Sequence, residues 1–215
     1  MGTLTKLALG MMGQLRPKPA QGNASPRILL PAPDRNGGMP LMEALAKRHS
    51  MREFAREELP LSLLSSMLWA AFGVNREDGK RTAPSAINAQ EIDIYVALPS
   101  GAYLYDAYEN ALQLVAGNDL RRVTGYQDFV DEAPLDLVFV ADYSRMTMVP
   151  VDHRESYASV AAGAISQNIY LFAASQGLAT VIRAWIDRGA IADGLGLNHD
   201  QQVLLSQTVG YPVQA

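Results

Sequence analysis

The stretch from Leu135 to Ala141 constrains the fold of this 215-residue chain most strongly. It is almost entirely apolar, far too short to span a membrane, and ends at Asp142. Such a run lacks the alternation of a strand with one face in water, so it indicates a central strand covered on both faces. Four other segments have strand-like patterns, the first two as a hairpin: Glu91 to Leu98, Tyr103 to Tyr105, Leu178 to Trp185 and Val203 to Tyr211.

Helical periodicity marks the segments between these strands. The longest predicted helix covers about residues 154–176 and is rich in alanine, which permits close approach of another helix. A loop containing Gly194 and Gly196 precedes the last strand, and the alternation of strands with helices predicts a mixed α/β domain. The other predicted helices run from Leu41 to Arg48, from residues 59–62 to Gly73, and onward from Asp106, with Tyr108, Leu112 and Val115 as apolar positions.

The first forty residues differ in composition from the rest. Residues 16–40 hold six of the twelve prolines and show neither helical nor strand periodicity, which predicts an extended arm. Because residues 28–30 are apolar, we expect this arm to pack along the folded protein, on its own or a partner subunit. We therefore place an N-terminal segment and Pro-rich arm in residues 1–40 and one domain in residues 41–215.

Composition argues against several function classes. Eighteen basic and twenty-two acidic residues give a net charge of -4 without a long basic run, so no nucleic-acid partner is expected. The absence of cysteine and the spacing of His49, His153 and His199 argue against a metal site. No apolar run has membrane-spanning length, which predicts no membrane partner and a cytoplasmic protein. The patch from Leu7 to Met12 leaves export, through a trimmed signal peptide, as the alternative.

The segment from Lys47 to Phe54 concentrates polar chemistry at a helix end. Arg48 and Arg52 carry planar, permanently charged guanidinium groups that suit a bidentate grip on phosphate. His49 and Ser50 add an imidazole and a hydroxyl. The pattern predicts an anion-binding site with phosphate as the expected ligand, and the alternative is a solvated helix end whose cations offset the helix dipole.

Two further segments carry candidate binding chemistry. The first, Arg81 to Gln90, places Ser, Asn and Gln side chains on an irregular loop that can hydrogen-bond the edge of a heteroaromatic ring, although these residues also favour ordinary turns. The second, Gln207 to Pro212, is an apolar strand that runs into Gly-Tyr-Pro. Neither segment identifies a site alone.

Together and in this order, the three segments resemble the FMN-dependent nitroreductase family. The resemblance is closest at Arg48 to Ser50 and at Pro84 to Gln90, and it covers roughly residues 40–212. One departure is the chain end, where Val213-Gln214-Ala215 replaces the basic pair with which many nitroreductases hold FMN phosphate. Three phrases resemble the SagB-type dehydrogenase-like branch more narrowly, although its common Lys-Tyr pair is not found: Leu68 to Arg76, Tyr103 to Asp106 and Gln167 to Leu171.

The resemblance implies an α+β nitroreductase-like fold, with an antiparallel-rich central sheet wrapped by helices, and an intertwined homodimer with FMN at the subunit interface. Arg183 is expected to complete the phosphate site or, equally, to form a surface salt bridge. Arg52 is the candidate for stabilising negative charge on the flavin ring. The implied cofactor-binding residues are Arg48, His49, Ser50 and Arg52 from one subunit, and Pro84, Ser85, Ala86 and Asn88 from the other, and Gln90 is also expected to bind the cofactor.

The activity implied is that of an FMN-dependent oxidoreductase with NAD(P)H as electron donor. Donor and a small organic acceptor, nitroaromatic or quinone-like, would react in turn in a ping-pong scheme. No catalytic residue of the protein is predicted, because the cofactor supplies the reactive atom and His49 is expected to bind flavin. The alternatives are a SagB-like dehydrogenase that oxidises azoline rings in peptides and a flavin-binding protein without NAD(P)H turnover.

Overall fold

A computed structural model describes residues 1–213 of the chain. Gln214 and Ala215, which belong to the chain end discussed above, lie outside the described residues. The helices are α1 (Thr3–Met11), α2 (Leu41–Lys47), α3 (Leu61–Phe72), α4 (Val151–Gln176) and α5 (Arg188–Leu195). The strands are β1 (Lys18–Pro19), β2 (Arg27–Leu29), β3 (Ile92–Leu98), β4 (Gly101–Asp106), β5 (Ala111–Ala116), β6 (Asn118–Asp119), β7 (Leu135–Asp142), β8 (Ala179–Arg183) and β9 (Gln201–Gly210).

Seven strands form one antiparallel sheet in the order β2-β5-β4-β3-β7-β9-β8. The apolar run identified in the sequence is β7, which pairs with β3 on one side and β9 on the other. Residues Leu135 to Ala141 are all buried. The prediction of a central strand covered on both faces is therefore confirmed, as is the hairpin of β3 and β4.

Helices cover both faces of the sheet. The long helix α4 lies on one face, where Ala158, Ala161 and Ala162 are buried in the main core together with residues of α3. Their small side chains let α3 pack closely against α4, as the alanine-rich pattern predicted. The opposite face carries a second core, to which α5 contributes Ile191 and Leu195. The molecule thus has the predicted α+β architecture, with an antiparallel sheet between helices.

The helix predicted after Asp106 is wrong, because this region forms strand β5. Asp106 Oδ1 does accept hydrogen bonds from the backbone N–H groups of Tyr108 and Glu109, at 3.0 Å each. These bonds stabilise the tight turn between β4 and β5 and not a helix start, since the same side-chain chemistry serves both. Leu112 then pairs with Tyr105 of β4 and with Ile28 of the arm.

Helix α5 lies in the segment predicted to be a loop. Asp187 Oδ1 accepts a hydrogen bond from Ala190 N at 3.0 Å, which caps the first turn. Gly196 then ends the helix in the left-handed conformation, with φ at 66°. The glycines that suggested a loop therefore mark the last turn and the end of a short helix.

The arm packs on its own chain, as its apolar residues predicted. Strand β2 pairs with β5, and Leu30 is buried. Upstream, Lys6 of α1 is fully buried and forms an ion pair with Asp131, which Lys18 and Arg122 also contact. Among the described residues, no helix is long and apolar enough to cross a membrane.

Candidate functional site

The Arg48 segment lies beside two strands near the end of the chain. Helix α2 ends at Lys47, and the next residues run along the sheet edge, where Met51 N donates to Thr180 O at 3.0 Å. Further on, Ala55 N donates to Tyr211 O at 2.9 Å, and Phe54 forms a bridge with Pro212. The fold therefore brings the first and third of the predicted site segments together.

Tyr170 of α4 contacts this segment with both its hydroxyl and its ring. Its hydroxyl lies 2.8 Å from Ser50 Oγ and accepts a hydrogen bond from Ile182 N at 3.0 Å. The Arg48 Cζ atom lies 5.2 Å from the centre of the Tyr170 ring, within cation–π range. Tyr170 is only 6% exposed. One buried side chain thus positions two predicted site residues, and Tyr170 itself was absent from the predicted set.

Arg48 and Arg52 have no carboxylate within ion-pair distance among residues 1–213, unlike neighbouring Arg56, which pairs with Glu132 at 3.2 Å. Arg48 is half-buried and Arg52 is exposed. The Nδ1 atom of His49 lies 2.7 Å from Lys47 O, so it donates there and leaves Nε2 free. Of Arg48, His49 and Arg52, His49 lines a largely apolar cavity of about 400 Å³, whose other lining residues are Lys47, Met51, Tyr170, Ala173, Ala174, Gly177, Leu178 and Thr180. Arg48 and Arg52 lie outside this lining. The unpaired positive charge suits an anionic ligand.

The loop from Ser85 to Gln90 holds an unusual backbone conformation. Ile87, Asn88 and Gln90 have positive φ angles of 50°, 57° and 50°. Positive φ is strained for a residue other than glycine, and most of all for a β-branched one such as Ile87. Strain of this kind persists where the surrounding structure imposes it and is concentrated at functional sites. Its position in the second predicted segment supports a binding role for the loop.

The side chains of this loop divide into two groups. Pro84 and Asn88 are exposed and Ala86 is half-buried, so these residues can contact a ligand or a second chain. Ser85 Oγ instead accepts a hydrogen bond from Gln90 N at 2.9 Å. The Gln90 side chain bonds to Arg81 and Gly79. Gln90, predicted to bind the cofactor, is thus engaged inside the loop.

The Arg48 segment and the Ser85–Gln90 loop are held by different residues. Ser50 contacts Tyr170 of α4. At the loop, Arg145, which precedes α4, donates from Nη1 to Gln90 O at 2.9 Å. No hydrogen bond or ion pair among the residues described joins the two segments. We refer to these two separately held segments as candidate half-sites.

Arg183 is enclosed by polar groups of its own chain. It is 6% exposed, and its guanidinium donates to Asp136 Oδ1 at 2.6 Å and to Thr208 Oγ1 at 2.7 Å. Its Nη1 atom donates to Thr124 O, and its Cζ atom lies 5.8 Å from the centre of the Phe129 ring. The predicted surface salt bridge is wrong, because this ion pair is buried.

Comparison with known proteins identifies the family of this chain. The model of the nitroreductase family matches residues 45–211, which include the first two segments and the third as far as Tyr211. A candidate nitroreductase of Methanocaldococcus jannaschii is 35% identical over 151 residues, covering 66% of this chain and 76% of that protein.

Solved structures give the same result. The crystal structure of a candidate nitroreductase from Ralstonia eutropha JMP134 is 50% identical, has a TM-score of 0.89, and is matched over 94% of this chain and 96% of its own. The NADPH:FMN oxidoreductase of Vibrio harveyi, solved with NAD+, is 22% identical and has a TM-score of 0.60. The match covers 81% of this chain and 69% of that one, and at this identity it shows the shared fold alone. Fold, segment order and sequence match agree, and the chain belongs to the nitroreductase family of oxidoreductases.

Proposed function

We propose that this protein is an FMN-dependent oxidoreductase that takes electrons from NAD(P)H and passes them to a small organic acceptor, nitroaromatic or quinone-like. The observation that carries the proposal is the pair of uncompensated arginines, Arg48 and Arg52, beside a Ser50 hydroxyl fixed by Tyr170. A phosphate monoester supplies the oxygens that guanidinium and hydroxyl donors bind best. The residues present therefore fit the phosphate end of FMN.

In this proposal the half-site at the end of α2 binds the polar parts of FMN. Arg48 and Ser50 donate to the phosphate, while His49 and Arg52 reach the ribityl chain and the pyrimidine edge. Because Tyr170 already accepts from Ile182, its proton can go to Ser50 Oγ, which frees the Ser50 proton for a phosphate oxygen. The proposed phosphate site does not include Arg183, since its guanidinium is committed to Asp136.

The second half-site is proposed to come from a partner copy of the chain. Pro84, Ser85, Ala86 and Asn88 of one subunit would then lie against the FMN held by the other. Exposed apolar side chains near the two half-sites support a homodimer, since their burial between copies would stabilise it. They are Leu41, Met42 and Leu45 on α2, Tyr157 and Val160 on α4, and Ile87 in the loop.

When bound, FMN supplies the redox chemistry, because its ring accepts hydride and returns electrons to an acceptor. The protein's contribution is binding, orientation and charge. Arg52 would stabilise negative charge at the pyrimidine edge through its exposed guanidinium. No side chain of the chain is assigned as acid or base, since an acceptor at an open site can take its proton from water.

The narrower SagB-type branch rests on three sequence phrases and would make the acceptor reaction the oxidation of azoline rings in peptides. A panel of azoline peptides tests this directly, because a dehydrogenase of that branch converts them to azoles. The other alternative is a flavin-binding protein without turnover, which would bind FMN through the same residues as the enzyme. Reduction of the bound FMN by NAD(P)H distinguishes the two, because only the enzyme would show it.

The experiment that tests the proposed function is a visible spectrum of the protein purified with added FMN, before and after anaerobic NADH or NADPH. We expect flavin bands that co-purify and then bleach with at least one donor. Bands that persist with both donors would contradict NAD(P)H turnover and favour a binding protein. A colourless protein would contradict the FMN assignment.

Tyr170→Phe is expected to raise the FMN dissociation constant by about three- to tenfold, since one neutral hydrogen bond contributes roughly 0.5–1.5 kcal/mol. The substitution keeps the ring beneath Arg48 and removes only the hydroxyl that holds Ser50. Fluorescence titration of FMN measures the change. Tyr126→Phe, in the core on the opposite face of the sheet, is the matched control and should leave the FMN affinity unchanged.

A further inference from the structure

Arg81 lies between the end of α3 and the strained loop, packed between two aromatic rings. Its Cζ atom is 4.9 Å from the centre of the Phe72 ring and 5.0 Å from that of Tyr108. Its Nη1 atom donates to Phe72 O at 3.0 Å, which ties the guanidinium to the last residue of α3. The arginine is half-buried and makes no ion pair within the described part of the chain. Its plane and position are therefore fixed by packing.

A second donor of Arg81 holds the far end of the loop. Arg81 Nε donates to Gln90 Oε1 at 2.9 Å, and the Gln90 amide group in turn donates to Gly79 O at 3.1 Å. Gln90 N donates to Ser85 Oγ, as described above. The ten-residue span from Arg81 to Gln90 is thus closed at its base by side chains. Gln90 itself is one of the residues with positive φ.

Closure of the base explains how the loop keeps its strained conformation. Three residues other than glycine adopt positive φ between positions 87 and 90, and an unrestrained segment would relax toward ordinary angles. Arginine suits the restraining role because its planar fork can donate in two fixed directions while stacking on aromatic faces. Lysine cannot reproduce this geometry, since its ammonium is a single point of donation.

We propose that Arg81 is a positioning residue that, through the Gln90 side chain, holds the Ser85–Gln90 loop in the conformation presented to the cofactor. This inference rests on the proposed function, which places the loop against the FMN bound by a partner subunit. Arg81 itself does not touch the cofactor. Its effect is to make two exposed residues, Asn88 in the loop and Pro84 directly before it, available in one arrangement before FMN binds.

The test compares Arg81→Lys, Gln90→Met and the double variant in the full-length protein. Lys80→Ala is the matched control, because Lys80 is the exposed neighbour and, among residues 1–213, its ammonium pairs with Asp78 alone. Without FMN, hydrogen exchange of residues 82–90 should be faster in both single variants and unchanged in the control. With FMN, the dissociation constant should rise about tenfold in each single variant and no further in the double, because the two side chains act as one unit.

Two readouts distinguish positioning from a general loss of stability. The reduction potential of bound FMN should move toward that of free FMN in Arg81→Lys, while the control keeps the wild-type potential. Additive losses of affinity in the double variant, or unchanged exchange in both single variants, would overturn the inference. If the wild-type protein binds no FMN, the proposed function fails, whereas the exchange experiment still decides whether Arg81 holds the loop.

Discussion

Replacing Arg48 with alanine is expected to weaken FMN binding by about ten- to a hundredfold. Hydrogen bonds to charged groups contribute roughly 1.5–3 kcal/mol, and every 1.4 kcal/mol corresponds to a factor of ten in affinity. Arg48 has no carboxylate partner among residues 1–213, so its removal leaves no buried charge uncompensated in the free protein. The loss should therefore appear in cofactor affinity and not in stability. Fluorescence titration of FMN and the thermal unfolding midpoint measure the two effects separately.

Arg56→Ala is the matched control for this prediction. Arg56 follows Arg48 by eight residues, is also an arginine, and forms an exposed pair with Glu132 at 3.2 Å. Its removal should leave FMN affinity at the wild-type value, since both partners lie mostly in water. Equal losses in the two variants would show that net charge, and not the Arg48 site, governs binding. An unchanged affinity in Arg48→Ala would favour the solvated helix end.

Replacing Asp136 with alanine is expected to lower the free energy of unfolding by about 3–5 kcal/mol, the usual effect of breaking a buried ion pair from one side. Asp136 is fully buried on the central strand and accepts from both Arg183 and Thr208. Without it, the Arg183 guanidinium stays charged and buried, because arginine does not lose its proton at working pH. Denaturant unfolding followed by circular dichroism measures the change.

Arg183→Met is expected to destabilise the protein less than Asp136→Ala. Burial raises the pKa of Asp136, against the opposing effect of Arg183, so removal of the arginine lets this carboxyl take up a proton. The Arg183→Met protein that remains folded should keep wild-type FMN affinity, since the guanidinium is bound to Asp136 and Thr208 and is buried. A large loss of FMN affinity without loss of stability would instead indicate that Arg183 belongs to the phosphate site.

Much of the sheet could be predicted because buried positions are occupied mostly by apolar or small residues, which can be recognised in the sequence. Strand β7 is apolar along nearly its whole length since both its faces are covered, and α4 is alanine-rich where α3 approaches. The same reasoning failed after Asp106, where Tyr108, Leu112 and Val115 have the spacing of one helix face, although in strand β5 Leu112 is buried and Val115 is exposed. Pairing with β4 and with the arm decides between helix and strand, and such tertiary hydrogen bonds are invisible in local periodicity.

The candidate site divides in the same way. Arg48, Ser50 and the loop near Asn88 could be found because their residue types and order are distinctive. Tyr170 and Arg81 act through contacts with residues far away in sequence or through packing between rings, so no local pattern indicates their roles. The surface salt bridge predicted for Arg183 was wrong for a related reason. The sequence of a strand does not show whether an arginine in it will pair with a buried aspartate of another strand.

The short arm strand β2 has a consequence for how copies of the chain can meet. It occupies one border of the seven-stranded sheet with only three residues, and Pro26 and Pro31 flank it. Proline lacks the N–H that a further strand would need, so growth of the sheet by stacking another molecule's strand onto this border is blocked. At the opposite border, the Met51 backbone already occupies the Thr180 carbonyl. Polymerisation through the sheet is thereby disfavoured, and assembly is left to the helices and loops.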